Sequence, residues 1–226
     1  MAKKVVKKRR IRLSGLLILL LIVGIFIFGV YLFFNINIKN IIINGNNYVT
    51  DEEIIETANI KEYPKFFLTK TTDIKKSIMK NPFIKKVKVK RGLYSTIYIE
   101  VKEYNVLLKN AITNKYILSN EKEVDSTIEF RVPILVNYVP NNKYKKLIEY
   151  TASINNDVFG KISEIRYDPN EYDKDRFLLY MDDGNSVYLT LTKFEMINYY
   201  NEVLPKLEDK KGILYLDSGN HFKIME

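Results

Sequence analysis

The chain has 226 residues, 46% of them hydrophobic and 28% charged, a balance that fits a folded protein and excludes a disordered one. It holds no cysteine and one histidine, which excludes disulfides, thiolate metal sites and cysteine nucleophiles. The formal net charge is +9, but seven cations fall in residues 1–12, which hold no acid, so the nearly neutral remainder argues against a nucleic-acid grip.

LSGLLILLLIVGIFIFGVYLFF, residues 13–34, carries no charge over 22 residues. As a helix it rises about 33 Å, enough to cross a hydrocarbon core of about 30 Å. A cleaved signal peptide would have a shorter apolar core and an A-x-A-like site, whereas NINIKN follows here. Tyr31, Phe33 and Phe34 at its end suit an interfacial aromatic belt. Seven cations precede the span and only Lys39 lies just after it. The positive-inside rule then puts the basic tail 1–12 in the cytoplasm and residues 35–226 outside.

IKNIIINGN (38–46) reads as a short strand, followed by TDEE at 50–53, a capping box in which Thr50 caps the helix and Glu53 reaches back. Ile54, Ile55 and Ala58 then face inward at helical spacing. A second helix fits 72–80, capped by Thr72 or Asp73, with Ile74 and Ile78 one turn apart. Asn81-Pro82 ends it, because proline disfavours helix in the residue before it. Two alternating runs follow. Val87 and Val89 oppose Lys86, Lys88 and Lys90; Ile97, Ile99 and Val101 oppose Thr96, Tyr98, Glu100 and Lys102. Such alternation marks half-buried antiparallel strands, with the lysines on the solvated side. RGLYS joins them, with Gly92 supplying the turn conformation. The order is β-α-α-β-β.

The run INGNNYVTDEEI…NPFIKKVKVKRGLYSTIYIEVKE resembles the POTRA-type domain of the FtsQ/DivIB cell-division proteins. The resemblance rests on Gly45-Asn46, Val49-Thr50, Asn81-Pro82, Ile84, the Val87/Val89 alternation, and Thr96, Ile97, Ile99, Val101 and Glu103. It departs from the family at Tyr94, where proline is usual, and at Asn105, near the family's E-x-x-P-type ending. In that family a single-pass anchor precedes the domain directly.

Residues 104–226 read as strands with two helices. The strand candidates are VLLKNAI, KYILSN, VPILVNY, ISEIRYD, RFLLYMD, SVYLTL and ILYLD. MDDGNS (181–186) holds an Asp-Gly hairpin signal. One helix fits 142–153. Another begins at TKFE, 192–195, read as a second capping box, with Phe194, Ile197, Tyr200, Leu204 and Leu207 recurring every three to four residues. Pro205 should end or kink it. ILYLD and HFKIM then flank Ser218-Gly219-Asn220 as two short strands. The pattern resembles the family's β domain; the family's longer cytoplasmic tail and C-terminal extension have no counterpart in these residues. The expected fold is α+β: tail 1–12, transmembrane helix 13–34, POTRA-type domain 35–103, and a mixed α/β domain 104–226 with a mainly antiparallel sheet.

Strings that invite chemistry are weak. SIMK (77–80) and SNEK (119–122) match S-x-x-K, but the nearest K-T-G-like string, KTT at 70–72, precedes both. DPNEYDKD (168–175) is acidic, yet a calcium loop of the EF-hand kind wants glycine and glutamate where Asp173 and Leu179 stand. His221 has no second histidine to share a metal. No catalytic residue, metal ligand or cofactor is expected, and neither is nucleic acid or a small-molecule substrate.

The resemblance implies a non-catalytic divisome assembly protein, enriched at the septum. Its partners would be FtsB/DivIC-like and FtsL-like single-span proteins, and through them the septal peptidoglycan synthase. Strand addition at an exposed sheet edge within 213–225 is the implied mode, with Ile213, Tyr215, Phe222 and Ile224 as candidate anchors. Those four could equally be core residues of the last hairpin. A membrane-anchored module binding anionic wall polymer, and an envelope enzyme, are the alternatives.

Overall fold

In the computed structural model the described residues are 13–208 and 210–225. The basic tail, and with it the orientation signal, lies outside the described residues. A helix, α1 (Leu13–Phe34), is long and apolar enough to cross a membrane, with a mean hydropathy of 3.1. None of its residues is buried against protein, and it is apolar all round, as a lipid-facing helix must be. The chain divides into two compact units after Lys102.

In the first unit α1 leads into β1 (Asn40–Asn44), α2 (Asp51–Thr57), α3 (Thr71–Ile78), β2 (Ile84–Arg91) and β3 (Thr96–Glu103). The sheet order is β1-β3-β2, with β1 parallel to β3. Ile54, Ile74 and Ile78 from the helices pack on Val87, Ile97 and Ile99 from the sheet, all at 1% exposure or less. The β-α-α-β-β order is that expected of a POTRA-type domain.

The residues that carried the resemblance also fasten this unit. Gly45 sits at φ +86°, and a Cβ there would meet the Val101 carbonyl oxygen at 2.3 Å, so both conformation and space demand glycine. Asn46 Nδ2 donates to Val49 O and to Asp51 Oδ1, tying the turn to the start of α2. Thr50 is the N-cap and accepts from Glu53 N. The reciprocal half of the predicted capping box is replaced: the Glu53 carboxylate instead accepts from Asn81 Nδ2 at 2.8 Å, joining the first helix to the Asn-Pro turn.

Three local expectations are corrected. The second helix starts earlier than predicted, with Lys70 in the cap position and no side-chain cap bond; Thr72 and Asp73 lie inside its first turn. Gly92 is extended (φ −120°), and the left-handed conformations fall on Tyr94 (φ 54°) and Ser95 (φ 55°). Gly92 is needed for space, since a Cβ would lie 2.3 Å from the Tyr98 ring. A proline, locked near φ −65°, could not take the conformation seen at Tyr94. Thr96, assigned to the solvated face, is 5% exposed.

The second unit holds nine strands in one sheet: β4 (Val106–Asn110), β5 (Tyr116–Leu118), β6 (Glu123–Val124), β7 (Ile134–Leu135), β8 (Ile162–Tyr167), β9 (Arg176–Met181), β10 (Ser186–Thr190), β11 (Gly212–Tyr215) and β12 (His221–Ile224). Their spatial order is β12-β11-β10-β9-β8-β7-β4-β5-β6. Three neighbouring pairs are parallel (β10/β11, β7/β8 and β4/β7) and the rest antiparallel. One face is covered by α4 (Asn141–Thr151) and by residues 191–207. Phe177, Leu179, Val187 and Leu189 pack there with Leu147, Phe194 and Ile197 in one cluster.

The helix predicted at TKFE is broken up. Leu191–Tyr199 is a 3₁₀ stretch with Lys193 out of helical geometry, Tyr200–Val203 is one α-turn (α6 in chain order), and Leu204–Leu207 is again 3₁₀. Thr192 caps nothing; the cap position is Thr190, without a side-chain bond. Phe194, Ile197, Tyr200 and Leu207 are nevertheless buried. The spacing marks which residues are buried but not the helix type, because a three-residue turn also brings i and i+3 to one side. A further short helix, α5 (Asn156–Phe159), and the two-residue β6 are additions to the sequence reading.

Candidate partner-binding edge

Residues 212–225 form a hairpin on the end of the nine-stranded sheet. Gly219 (φ 92°) and Asn220 (φ 51°) make its turn. β11 runs parallel to β10, so the chain between them must cross over, and the 3₁₀ and α-turns of residues 191–207 belong to that crossover. β12 pairs only with β11 and is the outer strand.

Register decides what that strand offers. Gly212, Ile213, Leu214 and Tyr215 face Ile224, Lys223, Phe222 and His221 respectively. Met225 N donates to Lys211 O at 3.0 Å, which makes 211/225 a hydrogen-bonded pair. In an antiparallel ladder such pairs alternate, so 213/223 and 215/221 are bonded and 212/224 and 214/222 are not. Phe222 and Ile224 therefore turn their backbone N–H and C=O groups away from the sheet.

The four predicted anchors do not form one patch. Phe222 and Ile224 share β12 and the face of buried Leu214; Phe222 packs on the core cluster, and Ile224 is 51% exposed. Ile213 and Tyr215 lie on the inner strand, half-buried, on the opposite face. Phe222 and Ile224 are brought together at the edge; Ile213 and Tyr215 sit one strand in.

That opposite face carries an arrangement absent from the sequence reading. The Arg176 guanidinium lies 3.4 Å over the Tyr188 ring; Tyr188 stacks on Tyr215 at 5.3 Å; Tyr215 stacks on His221 at 4.6 Å with rings 4° from parallel. The four side chains cross β9, β10, β11 and β12 in turn and end at the outer strand. Arg176 is also paired with Asp217 (3.0 Å) and Asp168 (3.8 Å). Burial pushes the Tyr188 hydroxyl up, and the Asp168 charge adds to this, while Arg176 opposes it. Each member comes from a different strand, so no spacing in the sequence marks the row.

Beneath the hairpin, Asn185 is 2% exposed and its Oδ1 accepts from Gly212 N at 2.9 Å. Asp183 accepts from Asn185 N and from the Tyr200 hydroxyl. Burial pulls the Asp183 carboxyl upward, but the Asn185 and Tyr200 donors and the Lys211 charge outweigh it and hold the group below its ordinary range. This corner pins the start of β11 to the β9–β10 turn.

At the other end of the sheet a cleft of 330 Å³ is lined by Leu135, Val139, Tyr144 and Glu123, among others. Burial, with Glu123 and Glu121 nearby, pushes the Tyr144 hydroxyl up to about 12. Glu123 accepts from Asn110 Nδ2 and Thr113 Oγ1. Ser77 lies at the end of α3, and Lys80 N donates to its carbonyl. The acidic loop folds on itself: Asn170 Oδ1 accepts from Tyr172 N and Asp173 N, and Asp173 Oδ1 from Asp175 N. Among the described residues no group of three or more histidine, aspartate or glutamate side chains is placed to hold a metal ion.

Residues 36–104 match the family "POTRA domain, FtsQ-type", and residues 100–218 match "Cell division protein FtsQ/DivIB, C-terminal", which by itself spans more than half of the chain. The chain belongs to the FtsQ/DivIB family of cell-division proteins. It is 27% identical over 188 residues to the cell division protein DivIB of Geobacillus kaustophilus, covering 80% of this chain and 72% of that one. Against Bacillus subtilis DivIB the identity is 28% over 197 residues, covering 82% and 73%. The solved major extracytoplasmic domain of Geobacillus stearothermophilus DivIB aligns with a TM-score of 0.40 at 23% identity, over 47% of this chain and 96% of that one. The FtsQ/DivIB C-terminal match stops at residue 218, so β11 lies inside the family region and β12 beyond it.

Proposed function

We propose that this FtsQ/DivIB chain is a non-catalytic assembly protein of the division machinery. It is anchored by α1 with its tail in the cytoplasm and residues 35–226 outside, and it gathers at the septum. Its partners are single-span division proteins of the FtsB/DivIC and FtsL kinds, and through them it reaches the septal peptidoglycan synthase. The partner joins by adding a strand to β12.

The observation that supports this reading is the outer position of β12, with the Phe222 and Ile224 backbone groups directed away from β11. A partner strand laid there would take up those donors and acceptors. Ile224 and Phe222 would be its side-chain contacts on one face, and Tyr215, through stacked His221, would support the other. Ile213 then contributes by holding β11 rather than by touching the partner.

Photocrosslinking side chains placed singly along 213–225 test the site. Capture of small single-span membrane proteins is expected from 222 and 224, and little from 213. Capture only from positions outside 213–225 overturns the strand-addition site. A fluorescent fusion with depletion tests the wider reading: uniform peripheral localisation with normal septation overturns it.

A further inference from the structure

The span ends against the first unit. Phe33, in the last turn of α1, stacks on Phe67 with centroids 4.0 Å apart, and Phe34 meets the same ring edge-on at 6.2 Å. The backbone closes the same joint: Phe66 N donates to Ile36 O at 2.8 Å and Ile38 N to Pro64 O at 2.9 Å. Lys65 Nζ also donates to Asn35 O. The loop around residues 64–68 therefore lies at the depth of the span's final turn. Both the amide and the hydroxyl of Thr69 return to Lys65 O, closing a tight turn. That turn sends Phe66 into the core and leaves Leu68 63% exposed.

The β2–β3 turn is at the same end. Asn40, the first residue of β1, is in register with Thr96, and Lys39 N donates to Ser95 O at 3.0 Å. Arg91 bridges the two loops, with Nη2 donating to Thr69 O at 2.7 Å. Leu93 and Tyr94 project from this turn at 79% and 83% exposure. Among the described residues of this unit outside α1, Leu68, Leu93 and Tyr94 are the three most exposed large hydrophobic side chains. All three are gathered where the span enters. Lys39, Lys70 and Arg91, all exposed, stand beside them.

The geometry points to a second membrane contact: Leu68, Leu93 and Tyr94 are buried in the interfacial layer of the leaflet at the C-terminal end of α1, with Lys39, Lys70 and Arg91 on its anionic phosphates. Apolar side chains ringed by cations are what that layer takes up. This contact rests on the reading of α1 as a membrane span. With the span and two loops as three points of support, the first unit stands on the bilayer at a fixed tilt.

The chain has no tryptophan, so a single introduced one reports alone. The full-length protein is placed in nanodiscs of phosphatidylcholine and phosphatidylglycerol, with or without brominated acyl chains. Leu93→Trp and Leu68→Trp should emit at shorter wavelength than an exposed indole and lose much of their fluorescence to the brominated lipid. Lys102→Trp, six residues along β3 from Thr96 and so about 20 Å from the start of that strand, should lose none. Phe28→Trp, inside α1, reports the span itself. If Phe28→Trp is quenched while Leu93→Trp and Leu68→Trp behave like Lys102→Trp, the loop contact is overturned and the span stands. If Phe28→Trp is unquenched, the span reading fails and the contact falls with it.

Discussion

Two outer strands, β2 in the three-stranded sheet and β12 in the nine-stranded one, present the same kind of free backbone edge and clothe it differently. β2 reads IKKVKVKR, with Lys86, Lys88 and Lys90 exposed along it. β12 reads HFKI, with one lysine, a half-buried phenylalanine and an exposed isoleucine. Lysines along an outer strand repel a second strand, and their absence invites one. The lysine-rich β2 is thus the more guarded edge, and β12 the less guarded one.

The largest expected effect comes from Gly212→Ala. A Cβ there would lie 2.2 Å from the Lys223 carbonyl oxygen and 2.7 Å from the Phe222 ring, so β12 must move off β11. Overpacking of this kind costs about 1–3 kcal/mol. Hydrogen exchange should show residues 221–225 losing protection while β8–β9 keep theirs, and crosslinks from 222 and 224 should vanish.

Tyr200→Phe should cost about 1 kcal/mol by removing one donor from Asp183. The sign with pH follows from the carboxyl being held below its ordinary range. Its contribution is present above the unfolded pKa and is lost as pH falls through the lower folded value. Losing the tyrosine donor raises that folded value towards the unfolded one, so the variant should lose less stability in acid than the parent and the gap between the two should narrow as pH falls, as followed by chemical denaturation across an acid series.

Ile224→Lys gives β12 the dress of β2. The side chain is exposed, so folding should change by less than about 0.5 kcal/mol, while partner capture falls sharply. The reverse exchange, Lys86→Val with Lys88→Val and Lys90→Val, should make the chain self-associate more than its parent in sedimentation. The smallest effect is Lys88→Ala. Its 3.1 Å pair with Glu100 joins two side chains that are each at least half exposed, so the loss should stay below about 0.5 kcal/mol.

Legibility follows the range over which a feature is determined. In the first unit, Gly45-Asn46, Thr50 and Asn81-Pro82 act through bonds a few residues long or through one helix end, and their pattern could be read directly. What escaped there was reciprocity: Glu53 has two possible acceptor roles, and only the fold shows that Asn81 takes the place of the Thr50 amide. In the second unit, alternation in ILYL and HFKI tells which side chains share a face within each strand. Which face of one matches which face of the other depends on the register across Gly219-Asn220, and that register separates Tyr215 from Phe222. The Arg176-Tyr188-Tyr215-His221 row needs three strand registers at once. The broken helix after β10 was missed for an opposite reason, since its burial pattern satisfies two helix types equally.

The parallel joint between β10 and β11 also sets an order of assembly. A chain leaving the ribosome at roughly 5–20 residues per second lets earlier parts settle first. β10 is made before the crossover and before the hairpin that will cover it, so β10 is for a time the outer strand. The corner of Asp183 and Asn185 lacks both the Tyr200 hydroxyl and the Gly212 amide until those later residues are made. On the strand-addition proposal, a partner arriving early would find β10 on the outside, and one arriving after the hairpin has closed would find β12. An edge of that kind would certify that the sheet behind it has been finished.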